Sequence, residues 1–220
     1  MLLCGVTKIT EEIAAIHRAI YDNIEARLRE FRSLWEKGSD RELFVELVFC
    51  LLTPQSGARR CWRAVESLVQ KDFLFNGCFD DICGELNIVR FKNNKTRYIM
   101  EAREVLWDGG SGSIREALSR FHNAGDRRDW LFRNVKGMGY KEASHYLRNI
   151  GLGEDIAILD RHIVKNMHLI GLIDSIPKAM PRRVYLDSEN ALHIFADRVA
   201  IPVSHLDFVL WYKETGDLFK

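Results

Sequence analysis

The periodicity of the apolar residues constrains the fold more strongly than any other feature of the chain. In residues 10–38, apolar side chains recur at helical spacing from Ile13 to Phe31, which places them on one face of a helix. Thr10 is a favoured N-cap residue, so this helix is expected to begin there and to end at Gly38. No segment shows the sustained apolar–polar alternation of a strand, and the 220 residues include only four prolines. The sequence therefore predicts an all-α fold.

The rest of the chain continues the helical pattern. Residues 40–52 are apolar almost all round after the first turn, which predicts a central buried helix. Thr53 is expected to cap the next helix and Pro54 to occupy its first position. Further helices are expected at residues 58–70, 79–86, 95–106, 113–121 and 129–134, after Gly139, from Asp160, and at 204–213, with loops at 107–113 and around Pro177 and Pro181.

Composition indicates a soluble globular protein, with 47% hydrophobic and 29% charged residues. No apolar run reaches the roughly 18 residues of a transmembrane helix, and the start lacks the pattern of a signal peptide. The five cysteines are irregularly spaced, which indicates free thiols in a reducing, intracellular compartment and no metal site. The net charge of +1 does not by itself indicate a nucleic-acid partner.

The segment "NVKGMGYKEA" (residues 134–143) predicts a tight turn between two helices. Gly137 and Gly139 lack a Cβ atom, so the backbone amides of the turn can approach a ligand closely. Amides at a helix N-terminus form a site for an anion such as a phosphate, and Lys136 adds a positive charge. The alternative is a simple αα turn with no ligand.

Two residues near this turn can carry chemistry. Lys141 lies in the first turn of the second helix, where the positive helix end disfavours an ammonium. A lysine amine can attack a sugar carbon and form a Schiff base, although a lysine at such a position is more often simply solvated. Asp160 follows an apolar segment and is expected to cap a helix. A capping carboxylate can also take part in proton transfer or stabilise a cation.

Hairpin, lysine and aspartate in this order resemble the helix-hairpin-helix DNA glycosylase superfamily, which contains endonuclease III and the 8-oxoguanine glycosylases. By this resemblance Lys141 matches the lysine of members that also cleave the strand, and Asp160 matches the catalytic aspartate. His162 follows Asp160 as in the 8-oxoguanine enzymes. The segment "LLTPQSGAR" is similar to a superfamily motif whose glutamine, here Gln55, reaches toward the DNA. The resemblance covers about residues 43–168.

The C-terminal segment indicates the branch of the superfamily. No cysteine follows Cys83, so the iron–sulfur cluster of endonuclease III relatives is not expected, and the chain has no room for an N-terminal sheet domain. The ending "LDFVLWYKETGDLFK" resembles the short second class of 8-oxoguanine DNA glycosylases, which end in a lysine that helps to recognise the base. Lys220 matches that lysine and Trp211 an aromatic that stacks on the extruded base. The alternatives are a frayed tail for Lys220 and core packing for Trp211.

Positive charge is grouped along the chain although the net charge is small. Three groups of lysine and arginine surround the proposed site and are expected to form a DNA footprint; solvated surface arginines are the simpler alternative for any one of them. The groups are Arg59, Arg60 and Arg63; Arg90, Lys92, Lys95, Arg97 and Arg103; and Arg127, Arg128, Arg133, Lys136, Lys141 and Arg148.

The resemblance implies two helical lobes with the active site in the cleft between them. We expect residues 1–38 and 152–220 to form one lobe, and residues 39–151, ending in the hairpin at about 129–150, to form the other. The implied activity is excision of 8-oxoguanine from duplex DNA and strand cleavage through a lysine Schiff base, by a monomer without cofactors. Met100 and Asp207 are expected to help line the base pocket. The alternatives are a glycosylase of the same fold for another damaged base and a non-catalytic DNA-binding protein.

Overall fold

The computed structural model of the protein describes residues 2–107 and 113–219, with side chains from residue 8 onward. These residues form helices joined by turns and contain no strand, so the all-α prediction is confirmed. The α-helices of the described ranges are α1 (Leu2–Lys37), α2 (Asp40–Leu52), α3 (Ala58–Gln70), α4 (Phe73–Asn76), α5 (Phe79–Glu85), α6 (Lys92–Leu106), α7 (Ile114–Ser119), α8 (Ala124–Asn134), α9 (Tyr140–Asn149), α10 (Arg161–Ile170), α11 (Arg182–Val199) and α12 (Val203–Thr215).

Several local predictions are wrong, including the start of α8, which begins at Ala124 and not at residue 129. Helix α1 begins at Leu2 rather than Thr10, because no proline precedes Thr10 to interrupt the backbone. Thr53 ends α2 instead of capping α3, since its hydroxyl and its N–H both donate to the carbonyl oxygen of Cys50, and Pro54 lies in the loop. Helix α11 was not predicted, although Tyr185, Leu192, Phe195 and Ala196 are buried at helical spacing. The predicted loop at 107–113 lies mostly outside the described residues.

The chain divides into two compact units. One, here called the terminal unit, comprises the chain up to Glu30 and Gly153–Leu218; the other, the bundle unit, comprises Phe31–Leu152 and Phe219. These bounds differ from the expected ones at residues 31–38, at Leu152 and at Phe219. The end of α1 belongs to the bundle unit because its backbone packs closely on Gly151, where a Cβ atom would come within 2.5 Å of Arg32 Cα. Phe219 belongs to the same unit because its ring packs edge-on against Phe49. The described chain has no helix long and apolar enough to cross a membrane.

Helix α2 is the centre of the bundle unit, as its sequence predicts. Its residues from Leu43 to Leu52 are buried except Val45, and α2 packs against α3, α6, α7 and α9. A capping box fixes its start, because Ser39 N–H donates to Glu42 at 2.8 Å and Glu42 N–H donates to Ser39 at 3.3 Å. These contacts fix the direction in which α2 presents the loop that follows it.

A buried polar link joins α2 to α9. Asn149 Nδ2 donates to Glu46 Oε1 at 2.6 Å, and the Arg148 guanidinium donates to Asn149 Oδ1 at 2.9 and 3.1 Å. Buried polar groups are costly unless they are hydrogen-bonded, so this link favours one register between the two helices. It therefore fixes the position of α9, which carries the predicted lysine.

Candidate active site

The hairpin at residues 135–139 joins α8 to α9 as the sequence predicts. Val135 and Met138 are buried and form the apolar underside of the turn. Gly137 has φ +85°, a left-handed conformation, and a Cβ atom there would lie 2.2 Å from Tyr98 Cδ2. Gly139 has φ −85°, which any residue can adopt, so the turn requires glycine at only one of the two positions on conformational grounds.

The start of α9 has the features of an anion site. Gly139 is the N-cap residue and has no side chain that could accept hydrogen bonds from the amides of the first turn. Those amides and the positive end of the helix favour a phosphate oxygen. Lys136 is exposed beside this turn, and its Nζ lies 3.0 Å from Glu101 Oε1 in a surface ion pair that a phosphate could replace.

Lys141 lies in the first turn of α9 with about a quarter of its side chain exposed. Its Nζ is 3.5 Å from Thr53 Oγ1 and 3.7 Å from Glu142 Oε1, so neither contact is a short, saturating bond. The amine is thus held near the end of α2 and remains accessible. Cys61 also lies near this amine, but burial raises the pKa of its thiol to about 11, which leaves it an unreactive hydrogen-bond donor to the carbonyl oxygen of Leu52.

Gln55 is exposed in the loop between α2 and α3 and has φ +54°. A left-handed conformation is unfavourable for a residue with a Cβ atom, and such strain is concentrated at functional sites. Phe91 repeats this pattern at the start of α6, with φ +59° and 53% exposure. The backbone N–H of Arg90 donates to Ser56 Oγ at 3.0 Å, which joins the two loops.

Phe91 was not predicted from the sequence as a functional residue. The signal that identifies it is structural, since its aromatic ring is exposed on strained backbone and the preceding residue, Arg90, is hydrogen-bonded to Ser56 in the Gln55 loop. A sequence pattern does not report backbone conformation.

In the terminal unit, Asp160 caps α10 as predicted. Its Oδ1 accepts the backbone N–H groups of His162 and Ile163 at 2.8 and 2.9 Å, whereas Oδ2 has no hydrogen bond within the described ranges. The preceding segment is held from α11, where Tyr185 Oη donates to the carbonyl oxygen of Ala157 at 2.7 Å and accepts from Leu159 N–H at 3.2 Å. One oxygen therefore orients the carboxylate, and the other is available for chemistry.

Trp211 and His162 meet in the same unit. Their rings are perpendicular, with centroids 5.1 Å apart, and His162 Nδ1 lies 3.8 Å from Glu214 Oε2. The Lys165 ammonium donates to Glu214 at 2.8 Å and lowers the pKa of that carboxyl, so Glu214 is ionised beside the imidazole. Trp211 is half-buried, which leaves part of its indole surface accessible.

The other predicted base-pocket residues are distributed over both units. Asp207 is buried on α12 in the terminal unit, and Met100 is half-buried on α6 in the bundle unit. Lys220 lies outside the described residues. Phe219 is docked rather than frayed, because the Arg59 guanidinium lies 4.9 Å from the centroid of its ring. Phe219 helps to line a cavity of about 360 Å³ together with Arg59, Trp62, Arg63 and Glu66.

The predicted DNA footprint is wrong for three of its members. Lys95, Arg128 and Arg148 are 3%, 3% and 4% exposed and cannot form a surface footprint. Arg128 donates to Ser144 Oγ at 3.2 Å, so its charge serves the packing of α8 on α9. The exposed members are Arg59, Arg60, Arg63, Arg90, Arg97, Arg133 and Lys136.

Comparison with known proteins gives one consistent result. The family described as 8-oxoguanine DNA glycosylase matches residues 24–201. The 8-oxoguanine DNA glycosylase/AP lyase of Fusobacterium nucleatum is 42% identical over 209 residues, which are 95% of this chain and 96% of that protein. The protein of the same name from Korarchaeum cryptofilum is 36% identical over 219 residues, covering 98% of this chain and 100% of that protein.

Two solved structures are similar along almost their whole length. The crystal structure of the 8-oxoguanine DNA glycosylase of Thermotoga maritima matches with a TM-score of 0.87 and 31% identity, covering 98% of this chain and 100% of the other. The Methanocaldococcus jannaschii 8-oxoguanine glycosylase/lyase, solved in complex with a 15mer DNA containing 8-oxoguanine, matches with a TM-score of 0.87 and 35% identity, covering 97% and 100%.

Proposed function

Because the chain belongs to the 8-oxoguanine DNA glycosylase family, we propose that it excises 8-oxoguanine from duplex DNA and cleaves the strand at the abasic site. The observation that best supports lysine chemistry is the position of Lys141. Its amine follows the hairpin directly, is partly exposed, and has only a 3.5 Å hydroxyl contact and a 3.7 Å carboxylate contact. Such an amine can leave these contacts for a sugar carbon without breaking a buried ion pair.

The reaction begins with extrusion of the damaged nucleotide, because a base within the stack cannot be reached. The Lys141 amine then attacks C1′, the bond from C1′ to the base breaks, and the base leaves with the bonding electron pair. Asp160 stabilises the positive charge that develops on the sugar through its free carboxylate oxygen. The amine loses its proton as the ring opens, and a Schiff base forms between Nζ and C1′. Loss of a C2′ proton then expels the 3′ phosphate by β-elimination.

The duplex is held by the exposed features of the bundle unit. Backbone amides after Gly137 and Gly139 bind a phosphate of the backbone, with Lys136 adding charge. Gln55 and Phe91 are exposed and enter the DNA duplex at the gap that the extruded nucleotide leaves. An apolar side chain such as that of Phe91 can wedge between neighbouring bases.

The extruded base is recognised mainly by aromatic stacking. Trp211 stacks on the base, and His162 supports the indole from its edge. Lys220, Met100 and Asp207 complete the pocket. A hydrogen-bond acceptor in this pocket binds the N7–H that 8-oxoguanine has and guanine lacks, and it thereby distinguishes the two bases. The amine supplies the nucleophile and the carboxylate stabilises the developing charge, so we propose that the reaction needs no metal or organic cofactor. We also propose that the protein acts as a monomer. Because DNA is its substrate, we propose that it acts in the cytoplasm, associated with the nucleoid in a prokaryote.

The proposal is tested with a duplex that carries one 8-oxoguanine, cut by the wild type, Lys141→Gln and Asp160→Asn. We expect the wild type to release the base and break the strand, and both variants to lose at least about 100-fold in rate. Lys71→Gln is the matched control, because Lys71 is an exposed lysine of the same unit that pairs with Glu85. Cleavage of oxidised pyrimidines instead would indicate an endonuclease III-like specificity. Binding without cleavage would indicate a non-catalytic protein.

A further inference from the structure

Lys95, in the first turn of α6, is a buried lysine that the proposed chemistry does not use. It is 3% exposed, and its Nζ donates to the carbonyl oxygens of Leu52 and Pro54 at 2.6 and 2.9 Å and to Ser56 Oγ at 3.0 Å. An ammonium has three N–H donors, and these bonds use all three. Lys95 is therefore neither a surface contact for phosphate nor an available nucleophile.

The burial of this charge is unfavourable in itself. Dehydration holds the pKa of Lys95 below its ordinary value. In the described ranges no carboxylate lies within ion-pair distance of its Nζ, so uncharged oxygens alone bind the ammonium. Removal of the ammonium would leave the carbonyl oxygens of Leu52 and Pro54 and the Ser56 hydroxyl without their shared donor. All three bonds go to residues 52–56, so the ammonium acts on this one segment of the chain.

The three acceptors flank Gln55 on both sides. Leu52 ends α2, Pro54 precedes Gln55 and Ser56 follows it, so the ammonium fixes the backbone around a residue with φ +54°. Backbone strain of this kind persists only where the surrounding structure holds it. The Gln55 side chain is exposed, and the fixed backbone determines the direction in which it leaves the loop.

The same bonds reach the second strained loop through Ser56. Its Oγ accepts from Lys95 Nζ at 3.0 Å and from the backbone N–H of Arg90 at 3.0 Å. Phe91, with φ +59°, follows directly. One buried ammonium thus fixes both residues that are exposed on strained backbone in this part of the bundle unit.

We propose that Lys95 is a positioning residue whose ammonium clamps the loop at residues 53–57 and thereby holds Gln55 and Phe91 in the geometry that enters the duplex. This role rests on the proposed function, from which it takes only the identity of the damaged base. The clamp acts where two strands are present, because Gln55 and Phe91 have no gap to fill on a single strand. Attack by Lys141 on an abasic sugar uses neither Gln55 nor Phe91, and the Thr53 hydroxyl near its amine is held by the carbonyl oxygen of Cys50 and not by Lys95.

The test compares a duplex reaction with a single-strand reaction for the wild type and Lys95→Met. We expect excision from the duplex to fall about 10- to 100-fold, because a small displacement of positioning groups has effects of this size. Cleavage of a single-stranded abasic oligonucleotide should change by less than about 3-fold. An equal fall in both reactions, or no fall in either, would overturn the role.

Two further variants separate positioning from loss of folding. Ser56→Ala removes one acceptor of the Lys95 ammonium and the hydrogen bond from Arg90 N–H. It should also reduce excision from the duplex selectively, but by a smaller factor. In a background that carries both Gln55→Ala and Phe91→Ala, Lys95→Met should have much less further effect, since the side chains that the clamp positions are then absent. Independent, multiplying losses would contradict the clamp. Lys71→Met is the charge-matched control and should leave both reactions unchanged.

A measurement of DNA binding tests the role of Lys95 even if the protein does not excise 8-oxoguanine. A wild type that does not excise 8-oxoguanine would refute the proposed function, and a tetrahydrofuran abasic analogue then provides the measurement. Lys95→Met should weaken binding to a duplex with this analogue about 10-fold and leave binding to the single strand unchanged. Equal weakening on both DNAs would overturn the role of Lys95 alone.

Discussion

The two loops that flank Lys141 reach left-handed backbone in different ways. The hairpin at residues 135–139 turns at Gly137, with φ +85°, whereas the loop at residues 53–57 turns at Gln55, with φ +54°. Glycine adopts this conformation readily, but a residue with a Cβ atom is strained there by about 1 kcal/mol or more. The hairpin therefore holds its shape by residue type, and the other loop needs external support from Lys95.

The difference between the two loops indicates what each offers to a ligand, backbone amides at Gly137 and a side chain at Gln55. At Gly137 the close approach of Tyr98 excludes any side chain, so the hairpin offers backbone amides. At Gln55 a side chain is present although glycine would relieve the strain, which indicates that the side chain itself is used. Backbone offered to phosphate and side chain offered to bases are the two kinds of contact that a DNA enzyme needs.

The largest expected effect is at the hairpin. Gly137→Ala should lower the free energy of unfolding by about 2–4 kcal/mol, because its Cβ atom combines a left-handed conformation with a clash on Tyr98. Gly139→Ala is the control and should cost less than about 1 kcal/mol, since a Cβ atom there meets only the flexible end of Glu142. Urea denaturation measures both. Equal costs would mean that the two glycines serve the same purpose.

An effect of intermediate size on the free energy of unfolding is expected from the buried thiol of Cys61, which donates to Leu52 at the start of the loop at residues 53–57. The pKa of Cys61 is raised from 9.0 to about 11 by burial, so between these values the folded protein keeps a proton that the unfolded chain loses. The free energy of unfolding should therefore fall as the pH rises through this range, by about 1–2 kcal/mol. The lowered pKa of Lys95 acts with the opposite sign, so the thiol contribution is read from the difference between the wild type and Cys61→Ala. A difference that does not change with pH would contradict it.

The smallest change in stability is expected at Gln55, where a substitution should stabilise the protein and not destabilise it. Gln55→Gly should stabilise the fold by about 0.5–1 kcal/mol, because glycine removes the left-handed strain, and should also reduce excision from a duplex. Gln55→Ala removes the same side chain but keeps the strain, so it should reduce excision without stabilising the protein. Thermal unfolding and duplex cleavage are measured on both variants. Stabilisation by alanine as well would show that the backbone is not strained.

The fold class, the hairpin and the cap at Asp160 could be predicted because local residue patterns determine them. Apolar spacing gives helices, glycines give the turn, and aspartate is a favoured N-cap. Burial of Lys95 could not be predicted, because a sequence shows charge but not the carbonyl groups that surround it. The strain at Phe91 was missed for the same reason, since backbone conformation at a residue other than glycine depends on its tertiary contacts.

The role of Lys141 is tested most directly by identifying the residue that becomes attached to DNA. The wild type is incubated with a duplex containing 8-oxoguanine, the Schiff base is reduced with borohydride, and the adduct is digested and mapped by mass spectrometry. We expect the sugar remnant on Nζ of Lys141, with no adduct formed by Lys141→Gln. An adduct on another lysine, or an active enzyme that forms none, would contradict the mechanism.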